Sequence, residues 1–113
     1  MNKPIYKFEN AVCKNVVDGD TIDVIIDVGF KIKVEQRLRL NRIDAPEIRG
    51  KEKEKGLKTK EYLMLKFRLP GPIIIIETQK TGKYGRYLAE IWLDGKNLND
   101  ELVEKGLAEY REY

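Results

Sequence analysis

Hydrophobic and polar positions alternate through the first third of the chain. Ile22, Val24, Ile26 and Val28 share one parity and Asp23 and Asp27 the other, the pattern of a half-buried strand. Gly29-Phe30 reads as a tight turn, after which Lys31-Ile32-Lys33-Val34-Glu35 alternates again and Leu38 and Leu40 carry the pattern toward Asp44. Upstream, residues Tyr6 to Val17 form an expected opening strand that ends at the Asp18-Gly19 turn. The period changes over Arg49 to Leu69, where Leu57, Leu63, Met64 and Phe67 predict the buried face of a helix stopped by Pro70-Gly71-Pro72. Ile73 to Ile76 reads as a buried strand, and Tyr87 to Leu93 as another, turned by Asp94-Gly95. A last helix is predicted with Asn99 as its N-cap, Asp100 and Glu101 in its first turn, and Leu98, Leu102, Val103 and Leu107 as its stripe. Gly106 marks its end or a close packing contact. The order β-β-β-α-β-β-α predicts an α+β fold, mainly β: a small five-stranded barrel with helices packed on it, in a single domain over residues 1–113.

Composition narrows the chemistry. At 113 residues the chain is long enough for a core without disulfide staples, and its single cysteine, Cys13, excludes an internal disulfide. Cys13 lies among Ala11, Val12, Val16 and Val17 and reads as a small buried hydrophobe. There is no histidine, so imidazole-based triads, histidine metal sites and the commonest general base are excluded. The longest apolar run, Pro72 to Ile76, is too short for a transmembrane helix. No apolar signal region follows Met1, so a cytoplasmic location is the default expectation, and a secreted one if a leader was removed. Net charge is +3, but Arg49 to Lys60 alone carries six cations against Glu52 and Glu54, a local +4 that leaves −1 elsewhere. That segment suits a polyanion, and equally a solvated entry to a helix.

Charged residues with potential chemistry sit in three short patches. Asp18-Gly19 is explained by a turn alone, whereas Asp20 opens the next strand and is a candidate metal ligand. In Asp44-Ala45-Pro46-Glu47, proline holds Ala45 extended, so the Asp44 carboxylate and the Ala45 carbonyl can be offered from a rigid corner. Glu47 is placed to accept a proton from water. Arg39 feeds that corner, with Arg37 and Arg42 equally eligible by composition, and Arg86 lies in Lys83-Tyr84-Gly85-Arg86. Carboxylates that hold a hard cation, with guanidiniums that grip phosphate, describe metal-assisted phosphodiester cleavage. Each patch alone is also an ordinary exposed loop or a solvated charge.

Taken together and in order, Val17-Asp18-Gly19-Asp20-Thr21, Arg39-Leu-x-x-Ile43-Asp44-Ala45-Pro46-Glu47, Lys83-Tyr84-Gly85-Arg86-x-Leu88-Ala89 and Asn99-x-x-Leu102-Val103-x-x-Gly106-Leu107-Ala108 resemble the staphylococcal nuclease (thermonuclease) family. The resemblance covers roughly residues 11 to 110. It implies a Greek-key barrel of the oligonucleotide-binding type (OB-fold) with two to three helices, and calcium-dependent nuclease activity on DNA and/or RNA that leaves 3′-phosphates. It further implies that Asp20, Asp44 and the Ala45 backbone carbonyl bind Ca2+, Glu47 activates water, and Arg39 and Arg86 hold the scissile phosphate. Lys83 and Tyr84 match nucleotide-binding positions, while Tyr110 and Tyr113 are both offset from the family's base-stacking tyrosine.

The sequence departs from the family where threonine is usual and Ala45 stands, in a somewhat shorter Ile48–Gly56 loop, and in stopping before the family's third helix, either because a later segment was removed or because the protein does without it. These departures imply cation binding that survives through the carbonyl with a looser second shell, altered substrate entry and marginal stability. A monomer is the default expectation. Two rivals make different demands: a non-catalytic OB-fold module that binds single-stranded nucleic acid, and a scaffold domain with neither nucleotide affinity nor calcium-dependent stabilisation.

Overall fold

The computed structural model describes residues 6–68, 73–80 and 87–112. Its long strands are β1 (Tyr6–Asp18), β2 (Thr21–Gly29), β3 (Ile32–Leu40), β5 (Ile73–Lys80) and β6 (Tyr87–Leu93), with two-residue strands β4 (Ile43–Asp44), β7 (Lys96–Asn97) and β8 (Glu109–Tyr110). A 3-10 turn at Gly50–Glu52 leads into helix α1 (Lys53–Arg68), and helix α2 (Leu98–Glu104) follows β7. β1 pairs antiparallel with both β2 and β5, β2 with β3, and β5 with β6. The ring closes where β6 runs parallel to the end of β3, with Leu38 opposite Tyr87, Arg39 opposite Leu88 and Leu40 opposite Ala89. The expected five-stranded, mainly β barrel is what the chain forms. The short β4, β7 and β8 are too brief to leave a period in the sequence.

The alternation read in β2 fills the barrel: Ile22, Val24 and Ile26 are buried together with Leu38, Leu40, Ile75 and Ile91. Val28 departs from its parity and is exposed, because the β2–β3 hairpin runs on past the packed interior. Leu63 from α1 and Leu98 and Leu102 from α2 join the same core.

Three expectations for the helices and Cys13 need correction. Leu57 and Met64 are 36% and 39% exposed, so they do not form the packed face of α1. That face is Gly56, Thr59 and Leu63, with Tyr62 and Phe67 partly buried beside it; Leu63 and Phe67 were expected there, but small Gly56 and polar Thr59 take the places expected of Leu57 and Met64. Thr59 is fully buried because its hydroxyl donates to the Leu107 carbonyl at 2.7 Å. Likewise Asn97, not Asn99, caps α2: its side-chain oxygen accepts from the Asp100 N–H at 3.0 Å. Cys13 is only half-buried, though packed against the core, and burial pushes its thiol up to about 11, which leaves it protonated and unreactive at neutral pH.

Asn99 instead lies fully buried as a tether. Its Oδ1 accepts from the Ile91 N–H at 3.2 Å, and its Nδ2 donates to the Asn41 and Ala89 carbonyls at 2.9 and 3.0 Å. One amide therefore fastens α2 to β6 and to the turn after β3. Gly106, at φ 72°, ends that helical segment as expected, with its N–H on the Val103 carbonyl.

Asn99→Ala removes one hydrogen bond from each of three backbone groups, of which the Ala89 carbonyl keeps the Asn41 N–H at 2.9 Å. It is expected to lower unfolding free energy by about 2–4 kcal/mol, measured by urea denaturation. Glu101 yields a pH dependence. Burial pushes its carboxyl up, but the Tyr62 hydroxyl at 2.6 Å and the Lys66 ammonium at 3.1 Å outweigh burial and hold it below 4.5. A depressed carboxylate contributes stability above its unfolded value and loses it as pH falls through the folded value. Glu101→Gln is therefore expected to be less stable than the parent at neutral pH, and the difference to shrink as pH falls below the ordinary carboxylate range, in denaturation curves at neutral and acid pH.

Candidate active site

The β1–β2 turn, the end of β3 and the β4 corner meet at one end of the barrel. Thr21 registers with Arg39 across the β2–β3 ladder, and the Leu40 N–H donates to the Asp20 carbonyl at 2.8 Å. This register sets the Asp20 and Arg39 side chains side by side, and both residues are only 7% exposed. Strand alternation sends Arg39 away from the interior filled by Leu38 and Leu40. It is nevertheless buried, because the corner after β3 folds over it.

Arg39 joins the two acids. Its Nη1 lies 2.7 Å from Asp20 Oδ1 and its Nη2 3.1 Å from Asp44 Oδ1. The Ala45 N–H donates to Asp20 Oδ2 at 3.0 Å, so the corner is also bonded directly to the β1–β2 turn. Thr21 Oγ1 donates to Asp20 Oδ1 at 3.2 Å. Burial pushes the Asp20 carboxyl up, but hydrogen bonds from Asp18, Arg39 and the Ala45 N–H prevail and hold it below the usual range. Its neighbour Asp18 moves the other way, to about 6, first through burial and then because it is the proton-donating partner of Asp20.

The alternatives left open for Arg39 are settled by partner. Arg37 pairs with Asp23 across the ladder at 2.8 Å. Arg42 makes a two-pronged bond to Glu90 at 2.7 and 3.0 Å and reaches Asp100 at 2.9 Å, stitching the corner to β6 and α2. Arg39 is thus the arginine that the fold directs to Asp20 and Asp44. Residues 81–86 lie outside the described residues, and with them Lys83, Tyr84 and Arg86; so does Tyr113. Tyr87, immediately after Arg86, registers with Leu38, next to Arg39. Tyr110 lies on β8 beside β4, exposed, with its hydroxyl on Asp100 Oδ1 at 3.0 Å and the Arg42 guanidinium 6.0 Å from its ring centre.

Glu47 is exposed, and among the described residues no three acids converge tightly enough to cage a metal with side chains alone. The donor set at the corner is two carboxylates with a peptide carbonyl nearby, all hard oxygens, and that chemistry fits a hard divalent cation. Asp44 keeps 44% of its side chain exposed and borders a cleft of about 170 Å³ that Ala45, Pro46, Glu52, Lys55 and Leu107 also line.

Two glycines and one arginine escaped the sequence reading. A Cβ on Gly19 would stand 2.6 Å from Thr59 Cγ2 and 2.8 Å from Ala45 Cβ, so Gly19 serves close packing of α1 and the corner on the turn. At Gly56 a Cβ would stand 2.2 Å from the Glu47 carbonyl oxygen, so α1 presses directly on the backbone that carries Glu47. Both look like routine turn or helix residues in sequence, and only the approach of a distant segment reveals them. Arg111 donates from its backbone to the Arg42 carbonyl at 2.8 Å and places Nη1 3.3 Å from Asp44 Oδ2, a partner that no local pattern announced.

A sequence model of the staphylococcal nuclease homologue family matches residues 37–113. The chain belongs to this family. The staphylococcal nuclease homologue match takes in Arg39, Asp44, Ala45 and Glu47 but starts after Asp20, which enters the site through geometry. The thermonuclease of Staphylococcus hyicus is 35% identical over 106 residues, covering 87% of this chain and 57% of that protein. That of Staphylococcus intermedius is 34% identical over 113 residues, covering 93% of this chain and 61% of the relative. Endonuclease YncB of Bacillus subtilis is 30% identical over 114 residues, covering 90% and 48%. The chain thus spans about half to three-fifths of the length of these relatives. The OB-type barrel expected from the motifs is the fold of this staphylococcal nuclease-like domain.

Helix propensity alone makes Gly56→Ala stabilising by about 1 kcal/mol. The contact with Glu47 reverses the sign, and the variant is expected to melt below the parent in calorimetry.

Proposed function

We propose that this chain is a metal-dependent phosphodiesterase that hydrolyses DNA and/or RNA, with Ca2+ as its ion. The observation that carries the reading is the Arg39 guanidinium spanning Asp20 and Asp44 at 2.7 and 3.1 Å beside the Ala45 peptide. Residues remote in sequence thereby form one compact group of hard oxygens next to a phosphate-binding cation. The names of the relatives, thermonuclease and endonuclease, support the same chemistry.

The Asp20 and Asp44 carboxylates and the Ala45 carbonyl would hold the ion, which when bound polarises a phosphoryl oxygen. Glu47, exposed at the rim, accepts the proton of the attacking water as its oxygen bonds to phosphorus. Arg39 and Arg86 grip the equatorial phosphate oxygens and offset the charge that grows on them. The P–O5′ bond breaks, the 5′ oxygen takes a proton from solvent water as it leaves, Glu47 returns its proton to solvent, and the phosphate stays on the 3′ side. Lys83 and Tyr84, with Tyr110 or Tyr113, contact the neighbouring nucleotide.

Glu47→Gln is expected to lower kcat by about a hundredfold or more, with an unchanged melting temperature. The assay is cleavage of labelled DNA and RNA in EGTA, calcium and magnesium. A parent that binds but never cuts would make the domain a nucleic-acid-binding module, and a Glu47→Gln rate equal to the parent's would remove Glu47 from the chemistry.

A further inference from the structure

The β2–β3 hairpin carries a tip that the barrel does not require. Its two turn residues, Phe30 and Lys31, both sit in the left-handed region, at φ 55° and 61°. Asn-Gly fills such a turn at low cost, whereas a bulky aromatic side chain there is unfavourable. Phe30 gains nothing in return from packing, since it is 94% exposed. Around it, Val28, Ile32 and Val34 are exposed as well, and at the hairpin's foot a cleft of about 330 Å³ opens beside Tyr6, Phe8 and Tyr87. Lys31 and Lys33 are exposed, and among the described residues neither has an ion-pair partner, although Lys14 nearby is matched to Glu35 at 2.7 Å.

An exposed aromatic ring followed by two ammonium groups outside any ion pair, one of them registered opposite Asp27, is chemistry that can hold single-stranded nucleic acid, the ring under a base and the cations at phosphates. A second copy docked symmetrically on the same patch would instead bring the lysines of both copies together, which charge repulsion opposes. We infer that the tip of the β2–β3 hairpin is a second contact for single-stranded substrate, with Phe30 stacking on a base and Lys31 and Lys33 meeting the adjacent phosphates. The inference rests on the nuclease reading above. From Thr21, beside the Asp20–Arg39 pair, to Phe30 the strand runs about 30 Å. That is roughly nine stacked nucleotides, so only a long strand reaches both places.

The test uses three variants of the whole chain, Phe30→Asn, Phe30→Trp and the double change Lys31→Gln with Lys33→Gln. Binding to a single strand of about twenty nucleotides and to a dinucleotide is measured in EGTA, alongside melting temperature and sedimentation. Phe30→Asn is expected to weaken long-strand binding about tenfold, leave the dinucleotide unaffected and melt no lower than the parent. Phe30→Trp is expected to bind as the parent does, and the lysine double variant to flatten the salt dependence. Long-strand affinity unchanged in Phe30→Asn overturns the inference, as does an equal loss for both ligands. Self-association that disappears in Phe30→Asn while its affinity holds assigns the patch to a second copy instead. A parent that cuts nucleic acid in calcium but whose long-strand binding ignores Phe30 sinks this contact alone; a parent that neither binds either ligand in EGTA nor cuts in calcium sinks the nuclease reading with it.

Discussion

Everything at the functional end of the barrel depends on a buried carboxylate, Asp20, matched by a buried guanidinium, Arg39. Each is almost wholly removed from water, and an isolated charge so placed is costly enough that neither tolerates loss of the other. The same carboxylate takes the Ala45 N–H, so one side chain ties the β1–β2 turn, the end of β3 and the Asp44 corner. Under the proposed function the structural and chemical duties of Asp20 and Arg39 therefore coincide. An alteration at either removes a support of the fold along with a member of the candidate site, whereas Glu47, standing exposed, is separable from the scaffold.

A second layer of constraint is steric. Gly19 and Gly56 let α1 settle against the turn and the Pro46–Glu47 backbone at distances that no larger residue permits. Thr59 completes the junction by bonding the Leu107 carbonyl, and Asn99 and Arg42 fasten α2 and β6 to the same corner. The corner thus has rigid neighbours on several sides. That suits the general-base role proposed for Glu47, whose placement must come from its backbone because its side chain is exposed.

What was legible in the sequence follows the reach of each signal. Strand alternation in β2 and the Asp-Gly turn are local, and they located the strands, although Asp20, expected to open β2, completes the turn and β2 begins at Thr21. The Asp44-Ala45-Pro46-Glu47 corner was legible because proline restricts its neighbour. The assignments for Leu57, Met64 and Asn99 failed because they depended on which face a distant element would cover; small Gly56 and polar Thr59 won the buried face through close approach and a tertiary hydrogen bond. Arg39 was indistinguishable from Arg37 and Arg42 until cross-strand register gave each a different acid. Arg111 lay beyond any local rule, since its partner Asp44 is 67 positions away.

The parallel seam between β3 and β6 carries a consequence for the order of assembly. Arg39 is held beside Leu88, and Asp44 beside Glu109, so the corner is completed by partners about fifty to sixty-five positions away. Pairings of such long sequence separation form late and slowly compared with the hairpin that contains Arg39. The hairpin can zip up early, while the wall that aligns Arg39 with Asp44 waits for the barrel to shut.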